Sequence, residues 1–140
     1  MERGTKMIQI KNWKTDEIIH QFEGTLKEAV EDAVKKKVSL AYANLRDADL
    51  AYINLNNVNL QSAKLQNANL RGAYLRSANL SFVDFQNANL QSANLQNAYL
   101  LSANLQGTNL AYINLTNVNL QYANLQNANL QGTNLEGIKL

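Results

Sequence analysis

The chain has 140 residues, a formal net charge of +2, no cysteine and no proline. That length fits one domain, and the lack of cysteine removes disulfides and thiolate metal sites. Charge is unevenly spread: residues 1–40 hold eight Lys/Arg and seven Asp/Glu, whereas Phe85 to Leu135 holds no charged residue, which weakens any purely electrostatic account of binding.

The first ten residues, MERGTKMIQI, are charged and lack a continuous apolar core, so no secretory signal is expected, with either Met1 or Met7 as the start. No apolar run exceeds four residues, as at Leu40–Ala43, so no membrane span is expected and a soluble cytoplasmic protein is the default. Ile8 and Ile10 alternate with polar neighbours, as do Ile18, His20 and Phe22, with Lys14-Thr15-Asp16 between them. This pattern predicts two short strands in a hairpin. Thr25-Leu26-Lys27-Glu28 then fits a capping box, and Leu26, Ala29, Val30, Ala33 and Val34 fall at helical spacing. Lys35-Lys36-Lys37 suit the negative end of a helix dipole. The expectation is a helix over 25–36 in a separate N-terminal cap, 1–37, with its apolar stripe covering the first coil of the repeats.

From 38 to 140 one five-residue phrase repeats. Every fifth residue from Leu45 to Leu140 is leucine, except Phe85. Two places earlier stands Ala at twelve of twenty positions, otherwise Val, Ile or Thr, and between the two lies Asn at fourteen. Period five is neither 2.0 nor 3.6, so the pattern needs a short extended piece and then a turn. In Ala43-Asn44-Leu45 the outer members share a face, pointing inward, and the middle one points out. Self-similarity at a short fixed period signals an all-β solenoid, whose stacked coils pair through backbone hydrogen bonds. Residues 51–75 and 111–135 agree at nineteen of twenty-five positions, an offset of sixty that suits three or four faces per coil.

The phrases Ala68-Asn69-Leu70, Ala88-Asn89-Leu90 and Ala103-Asn104-Leu105 resemble those of the pentapeptide-repeat family, with its A(D/N)LXX motif. The resemblance implies a right-handed quadrilateral β-helix of about five coils, capped here by the N-terminal hairpin and helix. It also brings in one mechanism, since some members are DNA mimics that bind gyrase or topoisomerase IV in bacteria. Such mimicry needs a strongly negative surface. Here Asp47, Asp49, Asp84 and Glu136 face five basic residues, Arg46, Lys64, Arg71, Arg76 and Lys139.

Departures from the motif are the candidates for function. With four pentads per coil, residues twenty apart stack, and one corner column reads Tyr42, Ser62, Phe82, Ser102, Tyr122, with Leu101 beside it. Another holds Tyr52 and Tyr112. These six apolar residues are the candidate interaction surface, suited to a protein partner or a planar ligand, against the plainer reading that aromatics cover backbone at corners. Outward Asn columns, such as Asn69, Asn89, Asn109 and Asn129, read as amides hydrogen-bonding along the stack, with a sugar-binding face as the rival. An ice-binding array would need repeated outward Thr, and only Thr116 qualifies. Nucleic acid is disfavoured because Arg46, Lys64, Arg71 and Arg76 form no long basic stripe. His20 is the one histidine and has no evident catalytic or metal-binding companion. No metal spacing, nucleophile elbow or phosphate loop is present. The expectation is a non-enzymatic structural or protein-interaction module with no cofactor and no metal. The repeats run to Leu140, so the last coil, with Glu136, Ile138, Lys139 and Leu140, is expected to expose an edge for homodimerisation.

Overall fold

A computed structural model describes residues 6–140. Met1, and with it the choice between two start sites, lies outside the described residues. Strand β1 (Met7–Lys11) pairs antiparallel with strand β2 (Ile18–Glu23), and helix α1 (Leu26–Lys35) comes next. The register shifts between Ile10 and Lys11, so that Ile10 faces His20 and Lys11 faces Ile18. This irregularity inserts Ile19 and departs from the simple alternation expected: Ile18 is 50% exposed while Ile19 joins the core.

Helix α1 begins where the capping residues place it. The Thr25 hydroxyl oxygen accepts from Glu28 N–H at 3.1 Å, closing one of the donors a helix start leaves open. The reciprocal half of the box is altered, because the Thr25 hydroxyl itself lies 3.3 Å from the Glu28 carboxylate. The helix ends as Lys36 N–H reaches Asp32 O and Lys37 turns left-handed at φ 57°. Ala29, Val30 and Ala33 are fully buried, in one core with Ile10 and the first leucines of the repeats.

The repeats stack with a period of twenty residues. Asn44 bridges Lys64, Lys64 bridges Asp84, and the same offset runs through the parallel bridges to Asn119 and Lys139. Twenty residues are four pentads, so the solenoid has four faces, the point the sixty-residue duplication left open. Face 1 carries 41–45 and its equivalents at twenty-residue steps. Faces 2, 3 and 4 begin with 46–50, 51–55 and 56–60.

Each face contributes single bridges rather than full strands, for a geometric reason. Leu45 N–H donates to Lys64 O, and Lys64 N–H donates back to Ala43 O, at 2.8 and 2.9 Å. The next two residues then turn, closed by a bond such as Ala48 N–H to Leu45 O at 3.2 Å. A third inter-coil bond leaves from the turn itself, Tyr42 N–H to Gln61 O at 2.8 Å. Three bonds per pentad leave no room for a longer ladder. Leu40 to Leu120 and Phe85 are at most 3% exposed at the central position. Thr108, at a small inward position, is buried and donates its hydroxyl to Phe85 O at 2.9 Å.

Candidate functional site

The second residue of every pentad stands at the corner with φ near +60°, the left-handed region. A lone positive φ at the third residue of a four-residue turn is the type II pattern, which suits Gly and Asn. Asn, Ser, Gly and Asp fill fifteen of the twenty positions, and Tyr42, Tyr52, Phe82, Tyr112 and Tyr122 fill the other five. For a bulky side chain that conformation costs roughly 1–2 kcal/mol, so each aromatic needs a compensating contact.

Three of the five have one. Tyr42 packs against Trp13, ring centroids 6.2 Å apart, and is only part-exposed. The rings of Tyr52 and Tyr112 lie over the glycines one coil on. A Cβ at Gly72 would stand 2.5 Å from the Tyr52 ring, and one at Gly132 would stand 2.6 Å from that of Tyr112. Glycine is favoured at both positions by the ring above it, since the positive φ alone is met by Asn, Ser, Asp, Tyr or Phe elsewhere. Phe82 stacks on no such glycine, since Ser102 follows it one coil on, and it is 53% exposed, close to the 60% and 54% of Tyr52 and Tyr112; Tyr122, 84% exposed, lies in the last described coil.

The six candidate residues do not form one surface. Tyr42, Phe82, Leu101 and Tyr122 lie at the corner between faces 4 and 1. Tyr52 and Tyr112 lie at the corner between faces 2 and 3, diagonally across the solenoid. The sequence reasoning missed two participants near the first corner. Trp13 reaches from the loop after β1, donating Nε1–H to Ser62 O at 2.6 Å, with Lys64 Nζ 4.5 Å from its ring centroid. Tyr99, 55% exposed, sits on face 4 two residues before Leu101. Its signal was visible: it breaks the Asn column.

The Asn columns hold the structure in a way that differs from the expected amide stacks. Asn44, Asn54, Asn59 and most of their equivalents turn Oδ1 onto the backbone N–H two residues ahead, as in Asn59 with Gln61 at 3.0 Å. Rung-to-rung side-chain bonds are few, among them Asn69 to Asp49 at 3.2 Å and Asn104 to Asp84 at 3.1 Å. The physical reason is that the first amide of each pentad has no partner in the ladder, and only a short side-chain acceptor reaches it. Asp does the same, as Asp84 does for Gln86 at 3.1 Å.

Among the described residues the solenoid holds one ion pair, between Lys64 and Asp84. Asp84 accepts from Gln66 Nε2 and Asn104 Nδ2 and lies 3.8 Å from Lys64 Nζ. His20 Nε2 lies 2.8 Å from Asp32 Oδ2, which Lys36 Nζ also approaches at 3.1 Å. The hydrogen bond from His20 is the chief cause that holds the Asp32 carboxyl below its ordinary value, with Lys36 adding to it against partial desolvation. This triad ties β2 to α1. No group of His, Cys, Asp and Glu able to hold a metal occurs among the described residues. No helix of the described residues is long and apolar enough to cross a membrane. A cleft of about 460 Å³ opens between the end of α1 and face 4, over Val34, Val38 and Val58.

In residues 121–140 the burial is different. Leu130, Leu135 and Leu140 are 36%, 45% and 79% exposed, and Glu136 and Lys139 are exposed beside a half-buried Ile138.

A family model for pentapeptide repeats matches in eight copies, over residues 39–76, 53–91, 68–100, 78–111 and 98–137 among them. Among solved structures the chain is similar to the pentapeptide repeat protein Rfr23 of the cyanobacterium Cyanothece 51142, at 41% identity over 67% of this chain and 65% of that one, with a TM-score of 0.64. It is similar to a pentapeptide repeat protein from the Arabidopsis thaliana thylakoid lumen, at 30% identity over 68% of this chain and 63% of that one, TM-score 0.38. It is also similar to HetL of Nostoc sp., a pentapeptide repeat protein involved in heterocyst differentiation regulation, at 32% identity over 74% of this chain and 57% of that one, TM-score 0.38. The chain thus spans less than two thirds of the length of each of the three. No curated protein matches the chain.

Proposed function

The chain belongs to the pentapeptide-repeat family, and from that premise we propose that it is a non-enzymatic protein-interaction module. In this reading it is a right-handed β-helix of five coils whose N-terminal hairpin and helix serve as a cap. Its contact surface is the corner between faces 4 and 1, at Phe82, Leu101 and Tyr122. One observation carries the reading: Phe82 and Tyr122 are exposed aromatics in left-handed backbone, without the glycine that accommodates Tyr52 and Tyr112. Residues held in costly backbone conformations cluster at functional sites. Large exposed aromatics are what interface anchors are made of.

A DNA-mimicking role toward a topoisomerase draws no support from the surface. Asp84 is tied to Lys64, Gln66 and Asn104, and Phe85 to Leu135 carry no charge to imitate a phosphate backbone. A homodimer through the last coil is the second part of the proposal.

The test compares the intact chain with a Phe82→Ala/Tyr122→Ala variant of unchanged circular dichroism, both as baits in a bacterial lysate. The expected outcome is a protein retained by the first and lost by the second. Equal retention by both overturns the assignment of the surface, and retained gyrase revives the topoisomerase alternative. Sedimentation at rising concentration tests the dimer, which a constant monomer mass rejects.

A further inference from the structure

Two tyrosines replace the rung Asn on exposed faces, and their consequences differ. At Tyr74 the amide that Asn would have capped, Arg76 N–H, is taken over by Asn56 Oδ1 from the coil before, at 2.8 Å. At Tyr99 the corresponding amide is Leu101 N–H, and it donates to no acceptor among the described residues. The residue twenty before it is Ser81, which offers no amide oxygen in place of Asn56. Leu101 follows Tyr99 by two residues and stands next to the corner column of Phe82 and Tyr122, and all three of those rings are exposed. Moreover, Phe82 N–H donates to Leu101 O at 2.8 Å, so the Leu101 backbone is held in place while its own N–H stays free.

We infer that Leu101 N–H and the rings around it form a recognition point for an uncharged peptide segment, whose main-chain carbonyl accepts from Leu101 while an aromatic or branched side chain packs on Phe82 and Tyr99. This rests on the interaction reading and names the chemistry of its partner. Three departures from the motif meet here: Tyr for Asn at 99, Leu for a polar residue at 101, and Phe at the left-handed position 82. The surrounding segment is uncharged from Phe85 to Leu135, so a charged partner would be desolvated with nothing to pair it. A carbonyl is the complementary group, because an amide donor covered by a partner and left unpaired costs affinity.

The experiment titrates N-acetyl-phenylalanine methylamide, a neutral probe with two carbonyl acceptors and one ring, into the labelled protein. Amide shifts are followed by NMR, with toluene and N-acetyl-phenylalanine as probes lacking the carbonyls or carrying a charge. The expected result is a saturable downfield shift of the Leu101 amide proton with the methylamide, small with the other two. Tyr99→Ala removes the ring and leaves the N–H free, whereas Tyr99→Asn also supplies the acceptor that closes it. Binding to the Asn variant should be weaker than to the Ala variant by about fivefold to tenfold, the size of one lost hydrogen bond. Equal affinity of those two, or a Leu101 amide that does not move, overturns the inference while leaving the lysate test of the corner untouched. Undiminished binding by Phe82→Ala/Tyr122→Ala would instead remove the corner as the contact surface.

Discussion

The two ends of the solenoid carry the same motif in different states. In the first coil Leu45, Leu50, Leu55 and Leu60 are at most 1% exposed, whereas in the last coil Leu130, Leu135 and Leu140 range from 36% to 79%. What differs is the neighbour. Over the first coil lie Ile10, Ala29, Val30 and Ala33. Its backbone is served too, Asn44 N–H by Lys11 O at 2.8 Å and Ala51 O by Lys27 Nζ at 2.7 Å. A pentad therefore does not own its burial; it acquires it from the coil stacked on it, as expected where stability is a sum of nearest-neighbour terms.

The sharpest way to break that comparison is to truncate the same residue type in two coils. Leu90→Ala, in a fully buried position, should cost about 2–5 kcal/mol, whereas Leu135→Ala should cost less than about 1 kcal/mol, both read from urea unfolding. Equal losses would mean that the last coil is covered in solution. Overfilling tests the same contrast from the other side. Ala88, 2% exposed, should resist enlargement, and Ala88→Leu should destabilise by about 1–3 kcal/mol. Ala128→Leu, in the half-buried equivalent two coils later, should be close to neutral. A melting temperature unchanged in Ala88→Leu would sink the inward assignment of that position.

At the covered end the expected effects are smaller. Trp13→Ala removes the bond to Ser62 O, the packing on Tyr42 and the contact with Lys64. It should cost about 1–2 kcal/mol, seen as a lower melting temperature. Loss of protection at Tyr42 in hydrogen exchange, with the central coils unaffected, would confine the effect to this end. The smallest effect is on pH dependence. Because the folded Asp32 carboxyl titrates below its ordinary value of 3.8, its contribution is fully present above that value and fades as pH falls through the lower folded one. Asp32→Asn should therefore flatten the acid limb of a melting-temperature profile below about pH 4. An unchanged acid limb would show that the His20–Asp32–Lys36 contact contributes nothing to stability.

The central column and the small inward positions were legible because their period is unbroken, and helix α1 was legible from Thr25, Glu28 and the apolar stripe behind them. Ile18 misled because a single inserted residue, Ile19, reverses which side chains face inward, and nothing in the local pattern marks that insertion. Asn was recognised as structural but for the wrong bond. Its partner is an amide two residues ahead, and that amide's need appears only once the ladder has claimed all the others. The aromatic candidates were found as departures from the motif, yet they read as one surface because a column of residues does not say which corner is opposite.

What the sequence by itself determined is the periodic part: which residue of each pentad points inward and where the turns fall. These depend on local alternation and on burial at a fixed interval, both written in the order of residues. What only the tertiary structure decided is the number of faces, the separation of Tyr52 and Tyr112 from Phe82 and Tyr122, the reach of Trp13 across to Ser62, and the contrast between the amides of Arg76 and Leu101. Each of these depends on which residues come together twenty or more positions apart. A repeat whose every coil looks alike leaves that choice to packing.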